Sequence, residues 1–427
     1  MSRAKIVLAT VGSLGDLHPF IAIGLALKAR GAEPVLAVPE DHLAKCRAAG
    51  LAAEAILPSF EEVGRTTGLP DDEVVRRILG DNQFLIGRVL LPPLGDSVRR
   101  LLRIAKGADA IAGSAFTFAA PIAAERLGVP FVHTVLQPMS WFSADDPPSG
   151  PDFRLAVRPP VGRTGRAWNR LFLASGKKYM RLRYGRAINR VRAAEGLGRT
   201  RAAPMIDAGT GPALSIGTYS PTFAALPPDT PRPAAVTGFP WYDADEHGAA
   251  ALDPELAAFL EDGPPPLVVS LGSFVPYSDT DLYRLSAQIA GRMGLRAVLL
   301  TGEAEATPSA DVLVRRYAPH SLLFPRAAAI VHHGGIGTTG QALRSGRPQL
   351  VAPFMGDQPD NAARVARLGV GLRVAPERFG DRAEALIRRL LDESHFAERA
   401  QRIGARVAAE DGAGAAADAI LALLPPS

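Results

Sequence analysis

A chain of 427 residues has room for two domains, and at 47% hydrophobic and 21% charged residues it has the make-up of a globular protein, not of a fibrous or disordered one. A single cysteine, Cys46, excludes an intrachain disulfide and a cysteine-based zinc cluster, and fits a reducing cytoplasm. No apolar run approaches the about 18 residues of a membrane-spanning helix. The apolar stretch after Lys5 is too short for a signal-peptide core, so no targeting segment is expected, and the net charge of +5 is modest.

In chain order, residues 5–10 (KIVLAT) read as a buried strand and 11–19 (VGSLGDLHP) as a Gly-rich loop. A helix over 20–30 is stopped by Gly31. A strand at 34–38, a helix over 41–49 and a strand at 53–57 continue the alternation, which predicts a parallel sheet with helices on both faces. Residues 59–107 carry no strand signal and predict helices near 74–79 and 84–105. Then come a strand at 110–112, a helix over 118–127 and a strand at 131–135. A Pro/Gly-rich loop follows over 137–165, then a long helix over 167–195 and a last strand of this half at 214–216. The stretch 220–245, with Pro221, Pro227, Pro228, Pro231, Pro233 and Pro240, reads as a linker. The alternation then restarts, with strands at 267–271, 297–300, 312–315, 329–331 and 349–352, and the Ala-rich tail is helical. The expected class is α/β, two doubly wound Rossmann-like domains facing across a cleft: 1–219, a linker over 220–245, 246–396, and a tail over 397–427 packing back toward the first domain. Ligands are expected at the carboxyl ends of the strands.

The richest stretch is 328–361. A short apolar strand runs into His332-His333-Gly334-Gly335-Ile336-Gly337, and Thr338-Thr339 open a helix. Glycines let a ligand approach the backbone, and the free N–H groups and dipole of the first helical turn favour an anion. His333 and two hydroxyls add side-chain donors, so a diphosphate is the natural guest. A Gly-x-Gly turn alone would be a weak signal.

HHGGIGTT (332–339) followed by PFMGDQPDNA (353–362), with GSLGD-x-x-P (12–19) near the N-terminus, resembles the signature of GT-B-fold glycosyltransferases that use nucleotide sugars. SPTF (220–223) and VTGF (236–239) narrow the resemblance to the family 1 branch that glycosylates sterols, macrolides and glycopeptide aglycones. The resemblance implies an inverting hexosyltransferase without cofactor or metal. Its co-substrate is a nucleotide sugar, UDP-glucose first and a dTDP-sugar second, and its acceptor is lipophilic: a sterol, a polyketide or macrolide, a glycolipid or another natural product. His333, Gly335, Gly337, Thr338 and Ser273 fall on positions that hold the diphosphate. Tyr317, Ala318 and His320 fall on the segment that holds the base, and Asp357-Gln358 on the pair that bonds the sugar hydroxyls. Gln341 stands where many UDP-sugar enzymes have a glutamate on the ribose, and Tyr317 where a stacking tryptophan is usual.

Asp16, in a Gly-rich loop at the end of the first strand, is the expected base for the acceptor hydroxyl, with His18 as competitor. Asp16 is also a good N-cap for a helix starting near Pro19, as Asp357 is for one near Pro359. Ser13 is a candidate for a further phosphate contact. His332 is expected behind the loop as a structural residue. His133, Trp141 and Phe142 are candidate acceptor contacts, set against ordinary packing. Asp243-Ala244-Asp245 has the form of a metal-binding DxD, but its place in the linker reads as surface acid.

Residues 154–201 hold fourteen Lys or Arg and one acid, Glu195, interleaved with apolar side chains. This is either a solvated helix face or a basic amphipathic patch for peripheral contact with an anionic membrane; no nucleic-acid motif accompanies it. A cytoplasmic monomer or homodimer, peripheral at most on the inner face of the membrane, is expected. A sugar-nucleotide epimerase of the same fold would need more acid/base groups around the sugar. A nicotinamide enzyme would need GxGxxG where Gly12-Ser13-Leu14-Gly15-Asp16 stands. An inactive nucleotide-binding module would have no need of Asp16, His333 and Asp357 together.

Overall fold

The computed structural model describes residues 3–159, 161–208, 211–243, 251–272, 281–302 and 306–425. The chain divides into two compact units, Met1–Tyr242 with Asp411–Ser427, and Asp243–Glu410.

In the first unit seven parallel strands are β1 (Lys5–Ala9), β2 (Glu33–Pro39), β3 (Ala52–Leu57), β4 (Ala110–Ser114), β5 (Phe131–Val135), β6 (Leu214–Gly217) and β7 (Ala234–Val236). They lie in the order β3-β2-β1-β4-β5-β6-β7. Near-continuous apolar runs such as Ile6 to Ala9 suit a sheet covered on both faces. On one face pack α1 (Leu14–Ala29) and the last helix of the chain. On the other pack α2 (Leu94–Ile104), α3 (Ala119–Leu127) and the carboxyl half of the 32-residue α4 (Arg163–Ala194). Leu8, Leu17, Phe20 and Leu27 are fully buried, each a contribution of about 1.5–3 kcal/mol.

The second sheet has the order β10-β9-β8-β11-β12-β13, again all parallel. Its strands are β8 (Leu267–Ser270), β9 (Ala297–Leu300), β10 (Val312–Arg315), β11 (Ala329–His332), β12 (Gln349–Val351) and β13 (Gly371–Arg373). The helices that matter for the site are α5 (His320–Leu323), α6 (Ile336–Arg344) and α7 (Gln358–Leu368). Further on, α8 (Ser394–Ala408) belongs to this unit, whereas α9 (Gly412–Leu421) returns to the first and packs on α1, where Asp418 receives both Arg30 Nε at 2.6 Å and Nη2 at 3.0 Å.

Both sheets reverse their strand order once. The reversal falls between β1 and β4 in the first sheet and between β8 and β11 in the second. Open parallel sheets bind ligands in the crevice at that point. The loops carrying Asp16 and His333 leave from β1 and β11, and Ser270 and His332 pair in register at the end of the second crevice.

Five readings change. The first helix begins at Leu14, six residues before the expected start, so Pro19 lies inside it. The stretch read as a linker contributes β7 to the first sheet, and β13 was not read as a strand. The helix expected over 84–105 is broken: Leu85–Leu90 is a π-helical turn, and Pro92-Pro93 separates it from α2, because proline lacks the N–H that would carry the ladder on. The tail expected to return as one piece over 397–427 does so only from Asp411.

Candidate functional site

Asp16 owes its position to the start of α1. Ser13 is the N-cap, and its Oγ accepts from Gly15 N–H at 3.2 Å. Asp16, three residues on, answers in a capping box: its Oδ2 accepts from Ser13 N–H at 2.8 Å and from Ser13 Oγ–H at 3.2 Å. The capping interaction expected for Asp16 therefore exists, but from inside the first turn, with Ser13 as the cap. Gly12, at φ +124°, makes room for this carboxyl, since a Cβ there would lie 2.3 Å from Oδ2. His42 Nε2 donates to Gly12 O at 2.8 Å and ties the loop to the end of β2. Burial pushes the Asp16 carboxyl above its ordinary value of 3.8, while the Ser13 bonds and nearby His42 pull it back. His18, the competing base, stands edge-on to Tyr242 with ring centroids 5.3 Å apart.

The three expected acceptor contacts lie in the first unit, His133 in β5 and Trp141 and Phe142 in the loop after it. His133 is the third of five residues in β5, not its carboxyl end, and is 7% exposed. Burial lowers its pKa to about 4. It lines a cavity of about 50 Å³ with Ser114, Thr117, Ile188 and Arg192, space on the scale of water and not of a sterol. Trp141 donates its indole N–H to Tyr219 Oη. Phe142 joins Phe153 and Phe172 in a chain of rings 6.3 Å apart that fastens the 137–165 loop to α4.

In the second unit, β11 delivers His332 and His333 side by side with opposite roles. His332 is fully buried. Its Nδ1 accepts from Gly334 N–H at 3.1 Å, so Nε2 carries the proton and donates to Gln349 Oε1 at 3.0 Å. Burial lowers its pKa to about 3, and it holds the loop from behind, the structural role read for it. The His333 ring lies between two glycines: a Cβ on Gly272 would meet it at 2.7 Å and one on Gly335 at 2.4 Å. Burial lowers this ring to about 4 as well.

Beyond Gly335 the first turn of α6 presents Gly337 exposed and Thr338 half-buried. Gln341, expected at a ribose, is 8% exposed on α6, and its Oε1 and Thr339 Oγ1 find no hydrogen-bond partner among the described residues. Ser273, together with Ala244 and Asp245, lies outside the described residues.

The segment expected at the base of the nucleotide is held by an acid that sequence reasoning misassigned. Asp243, read as surface acid, accepts from Tyr317 Oη–H at 2.9 Å and from Ser321 N–H at 2.6 Å. Tyr317 is 41% exposed and Ala318 buried. His320 stacks on Phe324 at 4.3 Å, with its Nε2 3.1 Å from Ser270 Oγ. Burial lowers the His320 pKa.

Asp357 is the N-cap of α7 by position, but its side chain makes no capping bond. It accepts instead from Asn361 Nδ2 at 2.7 Å. Asn361 Nδ2 also donates to Gly334 O at 2.9 Å, so one amide joins Asp357 to the glycine loop. Gln358 Oε1 accepts from Phe354 N–H and Met355 N–H at 2.8 and 3.2 Å, folding its own loop under the helix. Asn361 was missed as a site residue; its signal was the Asp-x-x-x-Asn spacing of one helical turn. For Asp243 no local signal existed, because its partners lie more than seventy residues away.

The second unit thus gathers a helix N-terminus, a glycine loop, a neutral histidine, an exposed aromatic face and a carboxylate–amide pair. That set can hold a diphosphate, a flat base and a polyol. The first unit offers a carboxylate of raised basicity at the mouth of its crevice.

Comparison with known proteins fits both halves. Residues 301–423 match the family "Erythromycin biosynthesis protein CIII-like, C-terminal domain". The chain is similar to O-mycaminosyltylonolide 6-deoxyallosyltransferase of Streptomyces fradiae, 32% identical over 426 residues that cover 96% of this chain and 94% of the relative. It is similar to vancomycin aglycone glucosyltransferase of Amycolatopsis orientalis, 30% identical over 86% of this chain and 85% of the relative. Its fold is that of the glycosyltransferase VinC, solved in complex with dTDP, with a TM-score of 0.70, 19% identity, and coverage of 98% of this chain and 99% of that one. The chain belongs to the family 1 glycosyltransferases of GT-B fold related to erythromycin biosynthesis protein CIII, and it is a glycosyltransferase.

Proposed function

We propose that this glycosyltransferase moves a hexose from a nucleoside diphosphate sugar to a hydroxyl of a lipophilic acceptor, with inversion and without a metal. Asp16 takes the proton of the acceptor hydroxyl. The oxygen attacks the anomeric carbon, the bond to the diphosphate breaks, and the diphosphate leaves carrying the electron pair. The α6 N-terminus, Thr338 and His333 neutralise it in place of a metal ion. A bound diphosphate favours the protonated form of His333 and so strengthens that contact. Asp357 and Gln358 bond the sugar, and Tyr317 faces the base.

The observation that carries the reading is the pairing of roles with fold: a carboxylate of raised pKa at one strand-order reversal and a glycine loop with a helix N-terminus at the other. UDP-glucose is the first donor to test. A dTDP-sugar is the second, because the resemblance puts Gln341, and not a glutamate, at the ribose, and a structural neighbour was solved with dTDP. The relatives' names, an O-mycaminosyltylonolide and a vancomycin aglycone, support a large natural-product acceptor. On this reading the acceptor is drawn from a lipid phase at the inner face of a membrane, with the enzyme peripheral to it.

The test is Asp16→Asn, which keeps the shape and the acceptor oxygen for Ser13 N–H. Transfer should fall by at least about a thousandfold, with donor affinity by calorimetry within about twofold of the parent. An active variant would remove Asp16 as the base. In the same assay EDTA should leave the parent rate unchanged; loss restored by a divalent cation would overturn the metal-free step.

A further inference from the structure

We infer that the outer face of α4, with the loop clasped to it, docks this enzyme on an anionic membrane surface. Among the described residues ten large apolar side chains are exposed, and six of them lie between Leu155 and Leu182. Leu171 is 62% and Leu182 71% exposed. They stand eleven residues apart, about three turns and about 16 Å along one face of the helix. The buried Asn169, Leu173 and Tyr184 occupy the opposite face, so these leucines are not core residues left uncovered at an edge.

The loop widens the apolar strip. Trp168 Nε1 donates to Leu155 O at 2.8 Å, and Asn169, fully buried, bonds Val157 N–H and O and Ala144 O, which pins Leu155 and Val157 beside Trp168. Cations border the strip, Arg163, Arg170 and Arg181 on one side by helical position and Arg186 and Arg190 on the other, and the exposed Lys178 stands between Leu171 and Leu182. Among the described residues Arg166, Lys177 and Arg192 meet acids in ion pairs at Asp145, Asp207 and Glu125, none of them a cation that borders the strip, so its edges stay strongly positive.

Apolar side chains with an indole between flanking arginines fit a headgroup boundary, where chains take the leucines and anionic headgroups the cations. A second copy would bring the same positive face against this one, and a nucleic acid would leave the leucines wet. No described helix is long and apolar enough to cross the bilayer, so α4 would lie in the plane of the surface. The inference deepens the lipophilic-acceptor reading and rests on it for its purpose, but binding can be read without donor or acceptor.

The experiment is co-sedimentation of the full chain with phosphatidylcholine vesicles, with or without phosphatidylglycerol. Sedimentation only with the anionic vesicles is expected, falling at least about tenfold in Leu171→Asp/Leu182→Asp and in Lys178→Glu/Arg186→Glu, with thermal unfolding and transfer to a water-soluble acceptor unchanged. Absence of binding to anionic vesicles, equal binding to neutral ones, or full binding by the leucine variant overturns the inference. So does a dimer in light scattering that the leucine variant dissolves.

Discussion

Asp16 has to serve two demands with one carboxyl group. As third residue of α1 it completes the capping box with Ser13, and as base it must be ionised and able to accept a proton. The two are compatible because the Ser13 bonds use Oδ2. Burial raises the carboxyl above the ordinary 3.8, and each Ser13 donor lowers it again by favouring the charged form. Removing the hydroxyl donor therefore has a definite sign. In Ser13→Ala the acid limb of kcat/KM should move to higher pH, and stability should fall by about 1 kcal/mol through the lost cap. A limb that stays put would mean that Asp16 does not set it. If Ser13 also touches phosphate, the variant's KM for donor rises, which separates the two roles.

Among the elements, strands such as β1 and β9 were legible because buried parallel strands announce themselves as continuous apolar runs; both lie within a residue of expectation. The start of α1 was not, because proline is commonest at the first helical position and drew the boundary to Pro19, whereas Ser13 and Asp16 satisfy the first-turn donors earlier. Three-residue strands such as Ala234–Val236 and Gly371–Arg373 are too short to show periodicity and exist only because a neighbour pairs with them. In the glycine loop the residue types were legible but their reasons were not. Gly335 leaves space for the His333 ring, and Gly337 leaves space outside the protein. That difference makes a test. Gly337→Ala meets no described atom within 4 Å, so its stability should match the parent; a loss of donor affinity of about tenfold would report a ligand pressed against that turn. Gly335→Ala should lower affinity by moving His333, whose other face is closed by Gly272. Unchanged nucleotide binding in both variants would remove this loop as the diphosphate site.

For the whole molecule, two units mean that stability need not be one number. Each unit carries a buried neutral histidine, His133 in the first with a pKa of about 4 and His332 in the second with about 3. Unfolding returns each toward the ordinary 6.5. Above pH 6.5 both states are neutral and the rings contribute no pH dependence. Below it the unfolded chain takes up a proton that the folded unit refuses. Stability is then lost at about 1.4 kcal/mol per pH unit per ring until the folded pKa is reached. The three tryptophans, Trp141, Trp168 and Trp241, all lie in the first unit, so indole fluorescence follows that unit while far-ultraviolet circular dichroism follows both. Urea unfolding by fluorescence between pH 7.5 and 5 should show the first unit weakening with acid, and His133→Leu should reduce that slope by the contribution of one ring. The variant should leave the pH dependence of the second unit's circular-dichroism transition as it was. A fluorescence slope in His133→Leu equal to the parent's would mean that His133 takes up its proton over the same pH range folded as unfolded, and that its cavity admits enough water to solvate the charge.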